Sequence, residues 1–153
     1  MEKLKISAFD LAQRFVGLAE LPGVASNPQV LAMLQLDQEW PAGDEVPWCS
    51  AFVNYITWLL RLPRSKSLLA RSWLAVGTGI PLSSAEVGFD VVVLSRSTVA
   101  PGPDNLSAPG HVGFFAGSIG GTQPLLILGG NQGNSVSVAQ FALNRVLGIR
   151  RLV

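Results

Sequence analysis

The hydrophobic residues of this chain change their spacing midway, and few folds accommodate that change. Between Phe9 and Leu60 they recur at intervals of three and four, the period of one helix face. From Val91 onward they come in short runs or alternate with polar residues, as strands do. Phe9, Leu11, Ala12, Phe15, Val16 and Ala19 predict a first helix that Pro22-Gly23 closes. Asn27-Pro28 predicts the N-cap and first position of a second helix, which carries Val30, Leu31 and Leu34. The turn-rich stretch from Pro41 to Pro47 leads into a third helix with Cys49, Phe52, Val53, Ile56 and Leu60 on one face, stopped by Pro63. A fourth helix is expected over Ser67–Val76.

Strands are expected at Asp90–Leu94, His111–Phe115, Leu125–Leu128, Ser135–Val138 and Val146–Leu152, with Gly129-Gly130 read as a strand stop. Helices followed by short, closely spaced strands imply an α+β domain, helices packed on a mostly antiparallel sheet of about five strands. The 153 residues suit one domain spanning 1–153. The segment from Ser95 to Gly110, with three prolines and two glycines, is expected to be a functional or mobile loop.

Composition removes several function classes. A net charge of +1 lacks the basic footprint of a nucleic-acid binder, so no nucleic-acid partner is expected. Hydrophobic residues at 48% argue against a disordered chain. No apolar run approaches the ~18 residues of a membrane span, so no stable membrane insertion is expected. With one Cys and one His, an internal disulfide and multi-Cys or multi-His zinc sites are excluded. The amino-terminal residues do not resemble a signal peptide, because Asp10, Gln13 and Arg14 interrupt any apolar core. Synthesis in the cytoplasm is the expectation.

Cys49 falls at the expected start of the third helix, where the helix dipole and unpaired N–H groups favour thiolate. Its position also suits a buried small hydrophobe beside Phe52 and Val53. His111 follows Pro109-Gly110 and opens a strand, where a general base is held rigidly, though a structural histidine fits there too. Together the two suffice for thiol-based acyl transfer, imidazole taking the proton and sulfur attacking a carbonyl. Asn131 lies twenty residues after His111 and could orient the imidazole, or simply serve a turn.

Three blocks in order carry a resemblance: Pro47-Trp48-Cys49-Ser50-Ala51-Phe52-Val53, Gly110-His111-Val112-Gly113-Phe114-Phe115, and Leu128-Gly129-Gly130-Asn131-Gln132. They resemble the NlpC/CHAP group of papain-like cysteine hydrolases, in particular a small branch from phage lysis genes and secreted bacterial effectors, over Ala8 to Arg151. The resemblance implies a catalytic triad of Cys49, His111 and Asn131, and peptidoglycan as substrate, cut at an amide in or at the stem peptide. It implies export through a holin-type pore or a secretion machine, and a cognate inhibitor (immunity) protein if the chain is an effector. A non-catalytic wall-binding or interaction module on the same fold is the alternative. Many NlpC-type enzymes carry Asp before the nucleophile, where this chain has Trp48. Calcium-binding CHAP domains carry an acidic loop upstream, where this chain has only Asp37, Asp44 and Glu45. No metal and no cofactor are therefore expected. Expected oxyanion donors are the Cys49 backbone N–H and a second group such as Gln38.

Overall fold

The computed structural model describes residues 3, 5–21, 26–37, 47–96, 102–118 and 124–153. Its strands are β1 (Thr78–Ile80), β2 (Asp90–Ser95), β3 (Gly110–Ser118), β4 (Leu125–Gln132), β5 (Ser135–Phe141) and β6 (Val146–Arg151). They form one sheet in the order β1-β6-β2-β3-β4-β5, every neighbouring pair antiparallel. The sheet thus has six strands rather than the five expected. The extra one, β1, has three residues pairing with the end of β6, too few to leave a period in the sequence.

The helices are α1 (Ala8–Gln13), α2 (Pro28–Leu34) and α3 (Cys49–Leu59). A capping box starts α1: Ser7 Oγ accepts from the Asp10 N–H, and Asp10 accepts from the Ser7 N–H. This helix ends well before Ala19, because Gly17 turns at φ 98 and donates its N–H to Val136 O instead of continuing. Asn27 caps α2 with Pro28 following, as expected. The expected fourth helix is a 3-10 segment, Ala70–Ala75. At its entrance the hydroxyls of Ser67 and Ser72 hydrogen-bond the Leu69 backbone, the competition that disfavours a regular α start.

Both faces of the sheet are buried, which explains why Val91–Leu94 is apolar without alternation. Val91 and Val93 join Val112, Phe114, Leu128 and the helices, whereas Val92 and Leu94 join Phe115, Leu125, Ile127 and Ile149 on the other face. Gly129-Gly130 does not stop a strand: β4 runs through both. A Cβ on Gly130 would lie 2.7 Å from the Trp48 ring and 2.8 Å from Phe52 Cβ, so this glycine lets α3 sit directly on the strand. At the opposite end of the sheet, Arg151 clamps the buried Asp90 carboxylate through Nε and a terminal amino group, both at 2.8 Å. That clamp ties the start of β2 to the end of β6.

Candidate active site

Cys49 is the first residue of α3, and its surroundings fix the first turn of that helix. Trp48 before it is fully buried, with its ring on Gly130 and its Nε1 donating to Glu20 Oε1 at 2.7 Å. Ser50 after it donates to Ser67 O at 2.6 Å and accepts from Trp73 Nε1 at 2.9 Å. Cys49 as a whole is only 2% exposed. Burial pushes the thiol pKa up, and the backbone N–H of Val112 and the charge of Arg96 oppose that only partly. A cavity of about 310 Å³ opens beside it, walled by Pro47, Leu69, Arg96, Ala108 and Pro109.

His111, the second residue of β3, is 4% exposed and stacks on Phe141 with ring centroids 5.1 Å apart. Its Nε2 lies 2.8 Å from Gln132 Oε1. The Gln132 amide has no freedom to turn over, since its nitrogen donates to Ile127 O at 3.1 Å and Ser137 O at 2.7 Å, groups that only accept. Oxygen therefore faces the imidazole, and Nε2 must be the protonated nitrogen. Nδ1 is left with the lone pair of a base. Burial first, then the charges of Arg96 and Arg145, lower the pKa of His111 to about 4 against the support of Gln132. Gly129 makes room for this pair: a Cβ there would meet Gln132 Oε1 at 2.7 Å and His111 Nε2 at 3.4 Å.

The imidazole is thus held by Gln132 and not by Asn131. The cause is a local irregularity of β4. Pairing with β5 shifts register between Gly129 and Gln132, and Asn131 takes a left-handed φ of 58°. The inserted residue resets the alternation of side chains, so that Gln132 rejoins the face of Gly129 and His111. Asn131 lines the same cavity without hydrogen-bonding the imidazole. The two-residue turn Gly133-Asn134, both at positive φ, pairs Gln132 with Ser135, and the shift lies beyond it, where Gly129 rather than Gly130 pairs with Ser137.

Cys49 and His111 reach neighbouring cavities that share Arg96 as a wall, the one on the imidazole side measuring about 430 Å³. The sulfur lies against the N–H of Val112, the residue after His111. Among the described residues no hydrogen bond joins sulfur to imidazole. Val112 points into the core under the helices with Cys49, and the His111 ring packs on Phe141 beside the other cluster.

Arg96 and Arg145 escaped sequence reasoning, because no motif marks them. Arg96 follows β2 and donates from Nε to Gly110 O at 2.9 Å; Arg145 donates from Nε to Ser95 O at 2.9 Å. Of the basic residues Arg61, Arg64, Lys66 and Arg71, the first three line one surface pocket and the fourth lies apart from it. Arg64 pairs with Asp37, while Arg71 is buried and donates to Gly102 O, Asn105 O and Pro109 O, holding the loop that walls the Cys49 cavity. Gln38, Trp40, Asp44 and Glu45 lie outside the described residues. Among the described residues no three His, Cys, Asp or Glu side chains gather in a metal-binding group, and no helix is long and apolar enough to cross a membrane.

No protein-family model and no curated relative matches the chain. Among solved structures it is similar to NlpC1 from Trichomonas vaginalis, with a TM-score of 0.57 and 16% identity over 99% of this chain and 46% of that one. The chain therefore spans about half the length of that protein, and at this identity the likeness is one of fold. Helices set on an antiparallel sheet, with the longest of them opening on a cysteine beside a histidine-bearing strand, give this chain an NlpC-type, papain-like fold.

Proposed function

We propose that residues 1–153 form a catalytic domain that hydrolyses an amide of bacterial peptidoglycan, in or at the stem peptide, with Cys49 as nucleophile and His111 as base. The observation that carries this is the locked His111–Gln132 pair, which leaves Nδ1 unprotonated on an imidazole that lines the cavity next to that of the helix-start cysteine. Burial holds both groups neutral at rest, so the thiol gives up its proton only when substrate enters. Sulfur then attacks the carbonyl, and the backbone N–H groups at the uncapped start of α3 receive the oxyanion. Protonated His111 returns its proton to the leaving amine, and a water that His111 deprotonates cleaves the thioester. Gln132 takes the orienting role in this reading; Asn131, which the resemblance implied, contributes a wall of the cavity.

Digestion of purified sacculi, followed by mass spectrometry of the fragments, tests the proposal. Wild type releases fragments cut at one amide, and Cys49→Ala and His111→Ala each lose at least roughly a thousandfold in rate, because the two act as a unit. Full activity in either variant overturns it. The deep burial of Cys49 favours a second reading, a non-catalytic wall-binding module with an inert thiol. Alkylation of Cys49 only after unfolding, together with intact sacculi, supports that module.

A further inference from the structure

Two guanidinium groups, Arg96 and Arg145, flank the His111 cavity, and among the described residues neither meets a carboxylate. Elsewhere Arg64 grips Asp37 and Arg151 grips Asp90. Arg96 and Arg145 are anchored through Nε alone, to Gly110 O and Ser95 O, and Arg145 also lies 5.2 Å above the Phe141 ring that carries the imidazole. Because each anchor uses the inner nitrogen, the terminal amino groups remain for a ligand. The other polar walls are Asn131, Gln132 and Ser137, and among the described residues no acidic side chain lines the cavity. Two positive charges beside the imidazole disfavour its protonated form, and an anion held between them offsets that effect.

We propose that Arg96 and Arg145 form a carboxylate subsite, which takes a free carboxylate of the substrate close to the amide that Cys49 attacks. The planar fork of a guanidinium suits a carboxylate, and a cavity of about 430 Å³ has room for one amino-acid unit. The subsite rests on the hydrolase reading for the identity of the substrate, not for the binding of the anion. A bound carboxylate offsets the two charges that disfavour imidazolium, so the substrate itself strengthens the base at the step where the thiol proton must move.

The chain has one histidine, so its imidazole gives a single set of NMR resonances to follow. Titration of His111 in sodium acetate, in inorganic phosphate and in sodium chloride at matched ionic strength tests the subsite. Acetate is expected to raise the His111 pKa by roughly one unit over chloride. The Arg96→Gln/Arg145→Gln protein starts from a higher value and does not respond. If that double variant fails to fold, Arg145→Gln alone, with a halved response, serves the same purpose. Absence of an acetate effect overturns the proposal, as does a response to phosphate without one to acetate, or an acetate response that persists in the variants. Alkylation of Cys49 gives a second readout. The rate ratio of iodoacetate to iodoacetamide should fall roughly tenfold when both arginines are replaced, and an unchanged ratio counts against the subsite. Acetate-responsive titration with sacculi left intact retains the subsite and removes the hydrolase; sacculus digestion without an acetate response does the reverse.

Discussion

On the sulfur side of Arg96 the walls are Pro47, Leu68, Leu69, Ala108 and Pro109; on the imidazole side they are Asn131, Gln132, Ser137 and Arg145. Hydrocarbon keeps the thiol protonated by denying solvent to a thiolate. The imidazole is kept unprotonated by burial and by two neighbouring positive charges, while a glutamine dictates which nitrogen carries its hydrogen. The contrast teaches that the two neutral groups answer differently to one shared charge: Arg96 lowers the pKa of both, so an anion that offsets it makes the thiol a weaker acid and the imidazole a stronger base.

The largest effect that would break this contrast is on stability against pH. His111 is depressed from 6.5 to about 4, so its contribution is complete above pH 6.5, declines as pH falls, and is gone below about 4. Over that window the loss amounts to about 3 kcal/mol. Urea unfolding at pH 7, 5 and 4 measures it, and His111→Asn is expected to flatten the decline. The buried thiol acts at the other end: with a raised folded pKa, its contribution is present below its ordinary 9.0 and lost as pH rises beyond it. Cys49→Ala should remove that alkaline loss and leave the acid limb intact.

A somewhat smaller effect sharpens the role of the glutamine. Gln132→Ala frees the imidazole to change tautomer and is expected to lower kcat on sacculi roughly a hundredfold, with a cost of about 1–3 kcal/mol in unfolding free energy at pH 7 from the partners it leaves unpaired. Nitrogen chemical shifts of His111 should then report both tautomers in place of one. Asn131→Gly, which keeps the left-handed turn without the side chain, should leave tautomer and rate near wild type. Equal losses in the two variants would return the orienting role to Asn131.

The smallest effect separates the two glycines between the cavities. Gly130→Ala drives a Cβ into the Trp48 ring and should cost about 1–3 kcal/mol in thermal or urea unfolding. Gly129→Ala meets the movable end of Gln132, so it should cost less stability and instead disturb the His111 tautomer. A reversed order of the two would mean that α3 does not rest on Gly130.

Much of this architecture was legible from spacing. Three helices and five strands follow the hydrophobic periods, and the Asn27-Pro28 start of α2 and the Cys49 start of α3 lie where their signals place them. The short β1 and the 3-10 segment in place of a fourth helix have local causes, whereas other misses come from interactions between distant parts of the chain. The first helix stops early because Val136, far along the sequence, takes the Gly17 N–H. Gly129-Gly130 reads locally as a break, but in the folded chain it is where a helix and a hydrogen-bonded side-chain pair press on opposite faces of one strand. Trp48, beside Cys49, lies in the core, the ordinary place for a tryptophan, because Glu20 satisfies its indole N–H and lets it be buried.

Sequence alone determined the class of fold and singled out Cys49 and His111 as a candidate pair, because periodicity is a local property and each of these residue types occurs once. Only the tertiary structure decided which residue orients the imidazole and which charges surround it. A single bulge residue in β4 exchanges the faces of Asn131 and Gln132, and backbone carbonyls of Ser95 and Gly110 anchor Arg145 and Arg96, arrangements set by strand register and packing rather than by any motif.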